Sequence, residues 1–149
     1  RYQNEVVGFN TRMTDIHAAI GRVQLAKLEG WTKQRESNAA FLTAGLKDVV
    51  TPYVRPGTRH VYHQYTIRIP GGSSDRRDAY MKALAENGVG SGVYYPTPIH
   101  RLKSFGLTLD LPETELLAKE CVSLPVHPSL SQSDLETIVQ VSNDVIAKI

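Results

Sequence analysis

Residues 14–29 place the strongest constraint on how this chain can fold. Read at helical spacing, Ile16, Ile20 and Val23 form one apolar row, and Ala18, Leu25 and Leu28 form a second row on another face. A helix that is apolar on two faces must bury both. This segment is therefore expected to pack against another domain or subunit, with Ala18, Ala19 and Gly21 permitting a close approach. Thr14 is placed to cap the helix, and Asp15 puts negative charge where the helix dipole favours it. Gly30 and Trp31 read as a break. A second helix is expected over residues 32–47, with Ala39, Leu42, Leu46 and Val49 as its buried stripe.

The pattern changes after Thr51-Pro52. In residues 60–69, Val61, His63, Tyr65, Ile67 and Ile69 alternate with Tyr62, Gln64, Thr66 and Arg68, which predicts a half-buried strand ended by Pro70-Gly71-Gly72-Ser73. Asp75 is the expected cap of a helix running to about Asn87, stopped by Gly88. Residues 89–93 read as a short strand. Residues 94–100 are expected to be extended, because Pro96 and Pro98 restrict them. A short helix over residues 113–120 follows Pro112, and residues 122–125 are extended. The last helix is expected to start at Ser131 or Ser133, with Ser133 and Glu136 fitting a capping box. Its apolar face is Leu135, Ile138, Val139, Ser142, Val145, Ile146 and Ile149. The expected architecture is an α/β (α+β) small domain over residues 51–149: a small mixed sheet with helices on one face, preceded by a long helical segment over residues 1–50.

Composition narrows the function classes. A net charge of +2, with Arg76-Arg77 as its longest basic cluster, argues against nucleic acid as a partner. No apolar run approaches the roughly 20 residues of a membrane span. Cys121 is the single cysteine, so no internal disulfide is possible, and a reducing, cytoplasmic setting is expected. Its apolar surroundings read as those of a buried small hydrophobe. No signal peptide is expected at the start of the chain, and its first residues, which lack an initiator Met, read as a cut inside a longer protein, with a processed terminus as the alternative. His60 and His63 point to opposite faces of a strand, so no metal site is expected. The glycines of Gly88-Val89-Gly90-Ser91-Gly92 follow a helix rather than open one, which favours close strand packing over a phosphate loop.

Two segments carry candidate chemistry. Gly8-Phe9-Asn10-Thr11-Arg12-Met13 precedes a helix N-terminus, a favourable place for an anion, and Asn10 and Arg12 are both usable donors to phosphate or carboxylate. The plainer reading is a loop with a helix cap. Tyr94-Tyr95-Pro96-Thr97-Pro98-Ile99-His100 presents two aromatics and a histidine on a restricted loop, with Arg101 and Lys103 beyond it. The plainer reading there is an edge segment filling a groove.

These segments resemble the DegT/DnrJ/EryC1/StrS aminotransferases. The first, continued by Asp15-Ile16-His17-Ala18-Ala19-Ile20-Gly21, Gln24-Leu25, Lys27-Leu28, Arg35 and Ala39, is similar to the start of that family's C-terminal half. His60-Val61-Tyr62-His63-Gln64-Tyr65 resembles its first small-domain strand. Residues 94–100 resemble its Tyr-Pro-x-Pro-x-His loop, and Ser123-Leu124-Pro125-Val126-His127-Pro128-Ser129-Leu130-Ser131 resembles its near-terminal signature. Four such segments in the right order are specific together. The resemblance implies a fold-type I homodimer using pyridoxal phosphate to move an amino group, commonly from glutamate or glutamine, to a keto group of a nucleotide-linked sugar. It implies that Asn10 reaches the cofactor phosphate of the neighbouring subunit, with Arg12 beside it, and that Tyr94, Tyr95 and His100 line the sugar-nucleotide side. Phe9 stands where the family commonly has Tyr, so any hydroxyl contact there is lost. The lysine that holds the cofactor has no counterpart here. No residue of this chain is therefore assigned as catalytic, and the chain alone is expected to be inactive. The alternative is a stand-alone small-molecule-binding or regulatory module.

Overall fold

The computed structural model describes Phe9 and residues 11–149. The elements are helix α1 (Asp15–Gly45), strand β1 (Tyr65–Arg68), helix α2 (Ser74–Glu86), a 3-10 turn (Ile99–Arg101), helix α3 (Pro112–Glu120), strand β2 (Cys121–Leu124) and helix α4 (Gln132–Ile146). β1 and β2 pair antiparallel, with Tyr65 opposite Leu124 and Ile67 opposite Val122. Single bridges extend the sheet on either side, Val50 to Arg68 and Gly92 to Ser123. The expected α/β class holds. Among the described residues the sheet has two strands, both antiparallel.

Alternation along the two strands separates a core face from a polar face. Tyr65, Ile67 and Ile69 are buried with Val122 and Leu124. They meet Ala39 and Leu42 of α1, Tyr80 and Leu84 of α2, and Leu135, Ile138, Val145 and Ile146 of α4. On the opposite face, the Thr66 and Ser123 hydroxyls lie 2.8 Å apart. Arg68 Nε donates to Glu120 at 3.1 Å, and Glu120 also accepts from the backbone N–H groups of Gly71 and Gly72.

Several expectations are corrected. α1 is one helix through Gly30 and Trp31, because an exposed helical glycine costs only about 1 kcal/mol and nothing there forces a turn. Its first half has no cover among the described residues: Ile16 and Leu25 are 73% and 69% exposed, as the two apolar rows require if their partner lies elsewhere. Its second half enters the core. The strand begins at Tyr65 rather than His60, because Tyr62 has a φ of 47° and its N–H donates to His60 Nδ1 in a local turn. α2 is capped by Ser73, which accepts from Asp75 N, so Asp75 occupies the first turn instead. Gly88 ends it with a φ of 79°, as expected. Residues 89–93 provide only the bridge at Gly92, since the Val89 N–H returns to Leu84 O to finish α2. The capping box of α4 is Ser131 with Asp134, and Glu136 instead accepts from Gln132. Ile149, expected on the buried face of α4, is 40% exposed just beyond the helix end.

α1 and α4 are tied end to side. Asn143 of α4 donates to Gly45 O at 3.0 Å and accepts from Lys47 N at 2.9 Å, satisfying backbone groups at the helix end. A Cβ at Gly45 would lie 2.8 Å from Val139 Cγ1, and valine has little χ1 freedom to yield. Gly45→Ala is therefore expected to destabilise the fold by about 1–3 kcal/mol through overpacking. Gly30→Ala, with no heavy atom within 4 Å of its Cβ, is expected to be neutral or to stabilise by up to ~1 kcal/mol. Thermal melts of the two variants distinguish a close approach from a helix break: a loss at Gly30 would contradict the continuous α1.

Candidate functional site

Two depressions adjoin β2, with Tyr94 lining both. The smaller, about 300 Å³, lies between residues 94–99 and one face of α3, and Cys121 of β2 also lines it. The larger, about 490 Å³, runs from Arg35 on α1 past His63, Gln64, Ser91 and Ser123 to His127. Strand alternation contributes to both: Val122 turns inward, which leaves Cys121 on the wall of the smaller and Ser123 on that of the larger, where Leu124 also lies.

Tyr94 sits where it does because position 92 is glycine. A Cβ there would come within 2.9 Å of the Tyr94 ring. The Tyr94–Tyr95 peptide is cis. The two rings meet edge to face with centroids 6.0 Å apart, and both are exposed. Residues 94–98 are extended or bent, as expected. Residues 99–101 are not extended but form the 3-10 turn, since Pro98 at φ −59° is compatible with its start and Arg101 N donates to Pro98 O.

That turn buries His100, which is 5% exposed with its Nε2 3.2 Å from Glu115 Oε1 on α3. Arg101 donates to the same oxygen. The loop is thus latched to α3 through one carboxylate. Hydrogen bonding from Arg101, with His100 adding to it, holds Glu115 below the ordinary glutamate value of 4.5. Cys121 is half-buried and lines the smaller cavity, which corrects the expectation of a fully buried hydrophobe. Burial pushes its thiol up, so it carries little thiolate character at neutral pH.

Two segments that line the larger groove are joined by a side chain that the sequence pattern hid. Asn38, 1% exposed, donates to His127 O at 3.0 Å and accepts from Gln34 at 2.9 Å, fastening α1 to residues 126–127. An asparagine inside the apolar stripe beside Ala39 and Leu42 was the available signal. Glu115 gave less warning, since an acid in the first turn of a helix is ordinary. The structure also gathers segments that stood apart in the sequence: Arg35, His63-Gln64, Gly90-Ser91-Gly92 and residues 123–127 all line one groove.

The sequence-predicted residues do not form one cluster. Asn10 lies outside the described residues. Arg12 is exposed just before Thr14, whose hydroxyl caps α1 by accepting from His17 N. Helical rise places Arg35 roughly 30 Å along α1 from that end. Tyr94 and Tyr95 face the smaller cavity together, while His100 faces Glu115. Among the described residues no group of three or more His, Cys, Asp or Glu side chains could hold a metal, and no helix is long and apolar enough to cross a membrane.

Known proteins share this fold. The model of the DegT/DnrJ/EryC1/StrS aminotransferase family matches residues 1–142. A pleiotropic regulatory protein of Geobacillus stearothermophilus is 38% identical over 94% of this chain and 39% of its own length. A dTDP-3-amino-3,4,6-trideoxy-alpha-D-glucose transaminase of Streptomyces venezuelae is 32% identical over 89% of this chain and 35% of its own length. The crystal structure of S. venezuelae DesV in complex with a ketimine intermediate superposes with a TM-score of 0.86 at 28% identity, covering 100% of this chain and 41% of DesV. The chain thus spans about two fifths of the length of these relatives.

The latch on α3 has a pH signature. Because Glu115 titrates below its ordinary value, its contribution is complete above about pH 4.5 and is lost as the pH falls through its folded value. Carbon-detected NMR titration is expected to show a Glu115 midpoint below 4.5 that moves upward in Arg101→Leu. An unmoved midpoint would mean that Arg101 does not hold the carboxylate.

Proposed function

Because this chain belongs to the DegT/DnrJ/EryC1/StrS aminotransferase family, we propose that it is the C-terminal part of a pyridoxal-phosphate-dependent nucleotide-sugar aminotransferase. The observation that carries this reading is the family match over residues 1–142. The complete enzyme moves an amino group from glutamate or glutamine to a keto carbon of a nucleotide-linked sugar, in the cytoplasm, as a homodimer. Residues 1–50 lead from the large domain and residues 51–149 form the small domain, with the second half of α1 packed into its core. The exposed apolar rows on the first half of α1 fit a cover supplied by the rest of the polypeptide or by the second subunit.

The residues present suit an anionic cofactor. Arg12 is exposed immediately before a 31-residue helix, whose N-terminus bears the positive end of the dipole. Asn10 and Arg12 would hold the cofactor phosphate. The roughly 30 Å of helical rise between the start of α1 and Arg35, which shares a groove with Tyr94, suits a contact made across the dimer, to the neighbouring subunit's cofactor. The bound cofactor supplies an electron sink for bond breaking at the amino carbon. Its anchoring lysine belongs to the portion of the enzyme outside this chain. Tyr94 and Tyr95 offer aromatic faces and hydroxyls to the nucleotide-sugar. His100 acts on that side through the turn it latches to α3.

The Geobacillus relative is named a regulatory protein, which is the observation that favours a regulatory module instead. An amination assay separates the two readings. The complete polypeptide, given pyridoxal phosphate, L-glutamate and dTDP- or UDP-linked keto sugars, is expected to yield an amino sugar detected by mass spectrometry. The 149-residue chain alone is expected to yield none. Tyr95→Ala in the complete enzyme should lower kcat/KM by about tenfold, the value of one aromatic contact. Turnover by the chain alone, or no amination of any such sugar by the complete polypeptide, would contradict the proposal.

A further inference from the structure

The groove beside β2 has the chemistry of an anion site. Arg35 is half-buried on α1 and has no ion pair or hydrogen bond with another described residue. The other arginines withdrawn from solvent each have an acceptor for at least one guanidinium nitrogen, although Arg76 Nε has none. Arg68 meets Glu120 at 3.1 Å, Arg76 meets Pro70 O at 2.9 Å, and Arg77 meets Asp78 at 2.8 Å and Ala118 O at 2.6 Å. A guanidinium stays charged at any accessible pH, so partial desolvation without an acceptor favours taking one up.

The surroundings strengthen this preference. The groove's other polar lining is His63, Gln64, Ser91, Tyr94, Ser123 and His127, and no aspartate or glutamate lines it. Glu36, next to Arg35 in the chain, is engaged by Arg59. Asp134, the acid in the first turn of α4, is committed to capping that helix with Ser131. The volume of about 490 Å³ suits a small molecule. Asn38 ties α1, which carries Arg35, to the backbone of residues 126–127, which carries His127.

We propose that this groove binds an oxyanion, the carboxylate or phosphate of a small ligand, with Arg35 as its principal contact and His63, Ser91 and His127 as further donors. The binding rests on the groove alone. The aminotransferase reading enters only in the choice of ligands, since its amino donor carries carboxylates and its nucleotide-sugar carries phosphates.

The histidines provide built-in reporters, because His63 and His127 line the groove while His17 and His100 do not. Imidazole resonances of the chain are followed at constant ionic strength during addition of L-glutamate, inorganic phosphate or sodium chloride. Saturable millimolar binding of glutamate or phosphate is expected to move His63 and His127 and to leave His17 in place. Response to glutamate alone assigns a carboxylate site, and response to phosphate alone a phosphate site. Arg35→Gln should weaken binding at least tenfold, with Arg35→Lys intermediate because it keeps the charge and loses the fork. In the unaltered protein, the effective ligand should also protect Arg35 from phenylglyoxal while leaving Arg22 and Arg55 reactive, as read by mass spectrometry. Equal movement of His17, an equal effect of chloride, no response to either oxyanion, or an unprotected Arg35 would each overturn the proposal. None of these readouts depends on amino transfer, so their failure is distinct from failure of the aminotransferase assay.

Discussion

The antiparallel pairing of β1 with β2 is the contact on which the other features depend. Four residues on each strand, in the register that sets Ile67 against Val122, direct every second side chain into the core. The same register turns Thr66, Cys121 and Ser123 to the other side, where Cys121 lines the smaller depression and Ser123 the larger. A slip of one residue would exchange the two sets, exposing the core and filling the groove. Packing and site are therefore two faces of one register. The polar side also contains the buried Glu120, whose carboxylate collects Arg68 and the turn after β1.

Around this pair the helices divide the work. The second half of α1, together with α2 and α4, covers the apolar face. α3 sits at the edge and holds the tyrosine loop through Glu115. Asn38 and Asn143 use side-chain amides to close gaps between elements, one joining α1 to residues 126–127 and the other joining α4 to the end of α1. Such amides satisfy backbone groups at the ends of elements, at about 0.5–1.5 kcal/mol for each hydrogen bond. The first half of α1 stands outside this arrangement, and its exposed rows look to a partner elsewhere.

Much of this was legible in the sequence where local physics decides. The stripe of Ala39, Leu42 and Leu46, the alternation at Tyr65, Ile67 and Ile69, the Thr14 cap and the Gly88 stop all appear as read. The errors arise where two local signals compete or where a distant partner decides. Gly30 weakens a helix without ending it. Tyr62 adopts a left-handed conformation that no alternation pattern announces. His100 turns inward because Glu115 lies fifteen residues away, and its burial required knowing that α3 passes beneath the loop. Each residue of the Arg35 groove was visible singly, yet their convergence depends on how α1 crosses the sheet. Asn10, on which the cofactor contact rests, lies outside the described residues.

The central claim is that this chain supplies Asn10 and Arg12 to a cofactor held by the neighbouring subunit. Hybrid dimers of the complete enzyme test it directly. One subunit carries Asn10→Ala and Arg12→Ala, and its partner lacks the cofactor-binding lysine. If these residues serve the neighbour's site, both lesions fall in one active site and the other stays intact, so the hybrid recovers activity that neither parent dimer has. If they serve their own subunit, each site carries one lesion and the hybrid remains as inactive as its parents.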